Sequence, residues 1–250
     1  MKKTLFLFLF IASVIGCKNS TYEVSEINAK KIILNSQIEQ DSTIIGVFLP
    51  YKKKMTEEIS KTLTYAPNTL ERTDGNLQST LGNLIADLSY KKANELFEKK
   101  TGKKVDFSMS NYGGIRASIT KGNVTVSNAF ELMPFDNTLV VVELSYEKIQ
   151  ELFAYFMAKK KAHPLSNQVE LKIRNKTYDI LVDGKSINKN KTYFVATSNY
   201  LQKGGDAMNF FKNPLSIYDS NFLIRDAIME YFISTDTLIS NLDNRVIISN

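Results

Sequence analysis

Apolar positions along the chain recur with two periods, and the switches between them mark out the elements. Ile32, Ile33 and Leu34 predict a strand. From about Ser42, apolar Ile44, Ile45, Phe48, Met55 and Ile59 recur at helical spacing, with Pro50 expected to bend or interrupt that helix. A second helix is predicted from about Ser79 to Lys100, carrying Leu81, Leu84, Ile85, Leu88, Leu96 and Phe97 on one side and stopping at Gly102. Val105, Phe107 and Met109 then alternate with polar neighbours, which is strand spacing. The unbroken apolar run Leu139 to Leu144 fits a strand buried on both faces, and Ser145 is placed to cap a helix bearing Ile149, Leu152, Phe153, Phe156 and Met157. Val169, Leu171 and Ile173 alternate again, Asp183-Gly184 is a hairpin turn signal, and Tyr193 to Thr197 is the next strand. A helix from about Asn221 to Ile233 and a strand at Val246 to Ile248 complete the pattern. Helices and strands mix without strict alternation, so the expected class is α+β, a single layered α/β domain with mixed sheets rather than a doubly wound one.

The first residues follow a different rule. Lys2 and Lys3 precede an apolar run, Thr4 to Ile15, that is too short to span a bilayer and reads as an export signal. It ends Val14-Ile15-Gly16-Cys17, which resembles the lipobox of bacterial lipoproteins and makes Cys17 the expected lipidation site. The expected organisation is therefore a lipoprotein signal over 1–17, a polar tether over 18–30 and one folded domain over 31–250. Export and a lipid anchor on a bacterial membrane, at the outer membrane or a periplasmic face, follow from that reading. Cys17 is the only cysteine, so an intramolecular disulfide is excluded and the core must supply the stability.

Charge narrows the partners. The formal net charge of +6 is carried mostly by lysine clusters such as Lys52 to Lys54 and Lys159 to Lys161, read as lying at or near the ends of predicted helices. A nucleic-acid surface calls for arginines and aromatics interleaved along one face, which this pattern lacks, whereas a mildly positive field suits anionic small molecules. Histidine narrows the chemistry further. The chain has one, His163, in a Lys-Lys-Ala-His-Pro context that reads as an exposed loop, so Ser-His-Asp and Cys-His arrangements have no other base to use. Binuclear phosphatase sites combine several imidazoles with carboxylates, and one histidine cannot build that set. No catalytic residue and no metal site are assigned to this chain.

Three short segments, each at the end of a predicted strand, carry ligand-type residues. Asn111-Tyr112-Gly113-Gly114-Ile115-Arg116 offers glycines that admit close backbone approach and a planar cationic fork. Leu132-Met133-Pro134-Phe135-Asp136-Asn137 feeds the strand at Leu139, and Ser198 to Asp206 follows the strand ending at Thr197, with Tyr200, Gly204, Gly205 and Asp206. Separately, each has a plainer alternative: a tight turn with a surface arginine, a proline turn with Phe135 in the core, and a glycine turn with Asp206 capping a helix. Together they make a coherent pocket for a base and its sugar, since stacking on an aromatic contributes about 1–3 kcal/mol per base.

The succession Asn-x-Gly-Gly-Ile-Arg, Pro-Phe-x-Asn-Thr-Leu-Val-Val-Val and Gly-Gly-Asp resembles the C-terminal domain of the 5′-nucleotidases, and Leu81-Gly82-Asn83-Leu84-Ile85-Ala86-Asp87 is similar to a helix of that domain. The resemblance extends from about Ile32 to the C-terminus. It implies a nucleotide-binding domain that works beside a metallophosphatase domain holding two divalent metals. It also implies that Phe135 and Tyr200 sandwich the base and that Asn111 and Asn137 contact base or ribose. Asp206 would accept the ribose hydroxyls, Arg116 would hold the phosphate side, and Gly113, Gly114, Gly204 and Gly205 would shape the loops. Two departures matter. Tyr112 stands where family members often carry a third glycine, so the loop is expected to be stiffer or to fill part of the cleft. The position of a family phosphate-contacting arginine falls near Gly75, leaving Arg72 as the nearest substitute. Three functions follow: the binding half of a split 5′-nucleotidase whose metals sit on a separate exported metallophosphatase chain, a stand-alone nucleoside- or nucleotide-binding lipoprotein, or a structural remnant whose cleft has lost affinity and which only contacts another protein.

Overall fold

The computed structural model describes residues 22–175 and 177–249. The signal, Cys17 and the first residues of the tether lie outside the described residues. The chain divides between Val47 and Phe48 into two compact units. In the first, Ile32, Ile33 and Leu34 are exposed and irregular rather than a strand, and no strand among the described residues pairs with them. Helix α1 (Ser42–Ile59) runs on through Pro50 and is not interrupted there, and Lys52 to Lys54 lie within it rather than at its end.

Strand β1 (Thr62–Ala66) leads to α2 (Thr80–Thr101), whose ends are set by two local devices. The Ser79 hydroxyl accepts the Gly82 amide at 3.0 Å, an N-cap worth about 1 kcal/mol. At the other end Gly102 turns left-handed and its amide closes on the Glu98 carbonyl. There follow β2 (Phe107–Ser108), β3 (Gly122–Thr125), α3 (Val126–Leu132), β4 (Thr138–Leu144), α4 (Tyr146–Lys159), β5 (Val169–Arg174), β6 (Thr177–Val182), β7 (Lys185–Ser186) and β8 (Tyr193–Ser198). The one-turn helix α5 (Asn199–Gln202), β9 (Ser216–Leu223), α6 (Ile224–Ile233) and β10 (Val246–Ser249) complete the described chain. The last helix therefore starts at Ile224, three residues later than its apolar pattern predicts, because β9 runs on to Leu223, which still pairs with Thr138 of β4 beyond an irregularity at Asn221.

The strands form a two-stranded sheet β1-β3, a mixed sheet β10-β5-β6-β7 and a mixed sheet β2-β8-β4-β9. The last is central. Val140, Val142 and Leu144 of β4 face a core built with Phe153 and Phe156 of α4 and with Leu171 of β5, while Val141 faces Phe97 of α2. That two-sided burial explains why β4 lacks alternation. The other face of α2 packs Leu81, Leu84 and Ile85 against Ile228 and Phe232 of α6.

Leu81 to Asp87 is spent on this architecture. The Asn83 amide donates to Gln78 and to the Asn241 carbonyl, and the Ala86 carbonyl accepts the Ser108 hydroxyl. Asp87 receives both terminal nitrogens of the buried Arg245, at 3.1 and 2.9 Å. Arg245 also binds Asp243 through Nε and Nη2 and the Leu165 carbonyl at 2.6 Å, so one guanidinium ties α2, the segment before β5 and the start of β10.

Candidate nucleoside-binding site

The central sheet brings the three segments together by its strand directions. β2 and β8 are parallel neighbours, with Ser108 opposite Ala196, and β4 runs antiparallel to β8, with Leu139 opposite Ser198. The C-terminal ends of β2 and β8 and the start of β4 therefore share one sheet edge. The loops that leave that edge are tied to one another pairwise. The Arg116 amide donates to the Leu132 carbonyl at 3.0 Å, the Thr138 amide to Asn199 Oδ1 at 3.3 Å, and Asn111 Nδ2 to Asp206 Oδ2 at 2.7 Å.

Between them lies a cavity of about 290 Å³ lined by Asn111, Gly113, Gly114, Arg116, Phe135, Asn137, Tyr200 and Asp206. Those are eight of the ten residues singled out from the sequence. The other two, Gly204 and Gly205, are not in its lining. Gly205 lets the chain pass directly under the Tyr200 ring, where a β-carbon would collide with the ring carbons. Gly114 likewise makes room for the Asn111 side chain, whose Oδ1 would stand 2.8 Å from an added β-carbon. Phe135 and Tyr200 are 41% and 43% exposed, which removes the alternative of a core Phe135. Arg116 Cζ lies 5.9 Å from the Phe135 ring centre, and its Nη1 makes only a long contact, 3.3 Å, to the Gly113 carbonyl.

Asp206 is the most tightly specified of these side chains. It sits in a 3₁₀ turn, not as a helix cap, with φ +52°, and Ala207 follows at +60°. Left-handed backbone costs a residue with a β-carbon about 1–2 kcal/mol, so the turn persists only because it is held. The Tyr200 hydroxyl donates to Asp206 Oδ1 at 2.9 Å, and the Tyr155 hydroxyl donates to the Asp206 carbonyl at 2.8 Å. The hydrogen bond to Asp206 holds the Tyr200 phenol above its ordinary value.

One supporting residue, Arg225, carries no sequence signal, and two others, Arg72 and Tyr112, stand at departures from the family pattern. Arg225, buried at the start of α6, donates to Asp136 at 2.7 Å and points its Nη1 at the Met133 carbonyl, fixing the turn that carries Phe135. Arg72 donates to the Ile115 carbonyl at 2.6 Å and stacks 4.6 Å from the Tyr112 ring centre, so it borders the first loop without lining the cavity. Tyr112 points outside the cavity and does not fill it. Its backbone amide donates to His163 Nδ1 at 3.1 Å.

His163 is not the exposed loop residue that its lysine-rich context suggests. It is 4% exposed, because the chain turns back at left-handed Lys160 and packs the imidazole against Tyr155 and Phe156. Burial, opposed by Asp206 and assisted by Lys161 and Lys159, pushes its pKa down from 6.5 to about 4. It therefore serves neutral, holding Tyr112.

Comparison with known proteins places the chain in a family. Residues 58–213 match the family described as 5′-nucleotidase, C-terminal domain. The chain belongs to that family. A 5′-nucleotidase of Vibrio vulnificus is 23% identical over 229 residues, covering 84% of this chain and 39% of that protein. The trifunctional nucleotide phosphoesterase protein YfkN of Bacillus subtilis is 29% identical over 191 residues, 68% of this chain and 12% of its own. Among solved structures, a 5′-nucleotidase precursor from Thermus thermophilus superposes with a TM-score of 0.66 at 22% identity, over 82% of this chain and 43% of that one. The NAD nucleotidase of Haemophilus influenzae gives 0.54 at 18% identity, over 84% and 42%. This chain thus spans about two fifths of the first relatives it matches. The mixed α/β fold is that of the family's C-terminal domain.

Proposed function

We propose that this chain is the nucleotide- or nucleoside-binding half of a split 5′-nucleotidase, exported and lipid-anchored through Cys17, and that a separate exported metallophosphatase chain supplies two divalent metals. The observation that carries the reading is the convergence on one cavity of two exposed rings, Phe135 and Tyr200, with Asn111, Asn137, Arg116 and Asp206. In this reading the rings sandwich the base, the two asparagines meet base or ribose edges, Asp206 accepts the ribose hydroxyls and Arg116 faces the phosphate. The free guanidinium edge of Arg116 and the exposed, pre-positioned Asp206 carboxylate suit those roles. A single histidine within the 250 residues supports assigning hydrolysis to a partner, whose metals would activate water while this chain positions the substrate.

Calorimetry with adenosine and AMP tests the binding role, and absence of heat with both removes it. Mixing with the metallophosphatase and measuring phosphate released from AMP tests the partnership. A rate equal to that of the phosphatase alone leaves the chain as a stand-alone binding lipoprotein.

A further inference from the structure

A second cavity, of about 320 Å³, adjoins the first and shares two walls with it, Gly113 and Asp206. Its remaining lining is Tyr112, Tyr155, Lys159, Lys161 and His163. One of these groups, the buried His163, has one ring nitrogen unanswered. His163 Nδ1 accepts the Tyr112 amide, so the neutral ring carries its proton on Nε2, and that nitrogen is buried with no hydrogen-bond partner among the described residues. An unanswered buried donor carries an unrecovered desolvation cost, which an acceptor arriving from outside would offset. Two ammonium groups frame the same space: Lys159 lies 5.4 Å from the Tyr155 ring centre and Lys161 5.6 Å from that of Tyr112. Neither lysine is paired with a carboxylate among the described residues, and Arg72 lies over the Tyr112 ring as well. The carboxylate on the shared wall, Asp206, is already engaged by Asn111 and the Tyr200 hydroxyl. Donors and positive charge thus outnumber acceptors in this cavity, which is the composition of an oxyanion site.

We propose that this second cavity is a subsite for a phosphate carried on a ribose hydroxyl of the ligand in the first cavity, held by Lys159, Lys161 and His163 Nε2. The assignment rests on the nucleoside reading of the first cavity. Asp206 lines both cavities and Arg116 only the first, so with the ribose hydroxyls at Asp206 a substituent on the 2′ or 3′ oxygen stands at the wall the two cavities share. The ligand class is then a nucleoside 2′- or 3′-phosphate, or a bisphosphate that also carries the 5′ group.

The test is calorimetry at low salt on the full chain and on the surface double variant Lys159→Gln/Lys161→Gln, using adenosine, adenosine 2′- and 3′-monophosphates, AMP and inorganic phosphate. The expected result is that a 2′- or 3′-monophosphate binds about tenfold more tightly than adenosine, in keeping with added charge-assisted hydrogen bonds. The double variant should lose that advantage while its adenosine affinity stays the same. Equal affinities for adenosine and both monophosphates, or an advantage that survives in the double variant, overturn the proposal. If adenosine gives no heat, the nucleoside reading has failed and the ribose-linked assignment falls with it. A lysine-dependent response to inorganic phosphate alone would in that case identify a free-oxyanion site instead.

Discussion

Two regions of this molecule carry recognisable motifs, and they use them in opposite ways. In Leu81 to Asp87 every polar side chain is consumed inside the fold: Asn83 by Gln78 and the Asn241 carbonyl, Asp87 by Arg245. In the loops at the edge of the central sheet, Phe135 and Tyr200 stay exposed, Arg116 keeps most of its donors free and Asp206 is presented by a strained turn. A motif alone does not distinguish a scaffold from a site. What distinguishes them is whether the side chains have spent their hydrogen bonds and apolar surface before any ligand arrives.

The sharpest way to break that contrast is to attack the consumed region. Arg245→Ala removes a 4%-exposed guanidinium from two carboxylates and a carbonyl, and should destabilise the fold by about 3–5 kcal/mol in urea unfolding. Affinity for adenosine in the fraction that stays folded should be unchanged. A large loss of affinity without loss of stability would show that Arg245 serves the site.

Acid acts next, through His163. Its folded pKa of about 4 lies below the ordinary 6.5, so the unfolded chain takes up the proton first as pH falls. The contribution is complete above about pH 6.5 and is lost progressively down to about pH 4, for a total of about 3 kcal/mol. Unfolding midpoints measured between pH 7 and 4 should follow that slope. His163→Gln should flatten it, whatever its effect at pH 7.

The exposed region should behave conversely. Phe135→Ala and Tyr200→Ala are each expected to weaken adenosine binding by about 1–3 kcal/mol with unfolding midpoints little changed, since neither ring belongs to a core cluster. Stability loss comparable to that of Arg245→Ala would mean that the rings are packed for the fold.

The sequence pattern anticipated much of this because the relevant signals are local. Gly102 stops its helix and Ser145 caps the next as expected, the helix predicted from about Ser79 begins at Thr80 with Ser79 as its cap, and β4 is buried on both faces as its unbroken apolar run requires. The loops converge because they end neighbouring strands, so placing the strands placed most of the site. What stayed hidden depends on tertiary pairing. β9, with Ser216, Asp219, Ser220 and Asn221 among its eight residues, has no apolar alternation and exists because β4 offers it a partner. His163 reads as exposed from its lysine neighbours, but its burial is set by Tyr155 and Phe156 from the preceding helix. Arg72 borders the site through one bond to the Ile115 carbonyl, a contact that no spacing announces.

Arg225 tests where the boundary between the two regions falls. It is 9% exposed like a scaffold residue, yet its hydrogen bonds go to Asp136 and toward the Met133 carbonyl, on either side of the Pro134-Phe135 turn, and its guanidinium covers the Phe130 ring at 4.5 Å. The Asp136 side chain is 80% exposed, so the ion pair itself contributes little. What Arg225 supplies is orientation of the turn. Arg225→Lys keeps the charge but cannot reach two acceptors with a planar fork. It should lower adenosine affinity by about 1 kcal/mol, the scale of one lost hydrogen bond, and shift the urea midpoint only slightly. A loss confined to stability would put Arg225 with Arg245 in the scaffold, and a loss confined to binding would show that a buried side chain can belong to the site through the loop it holds.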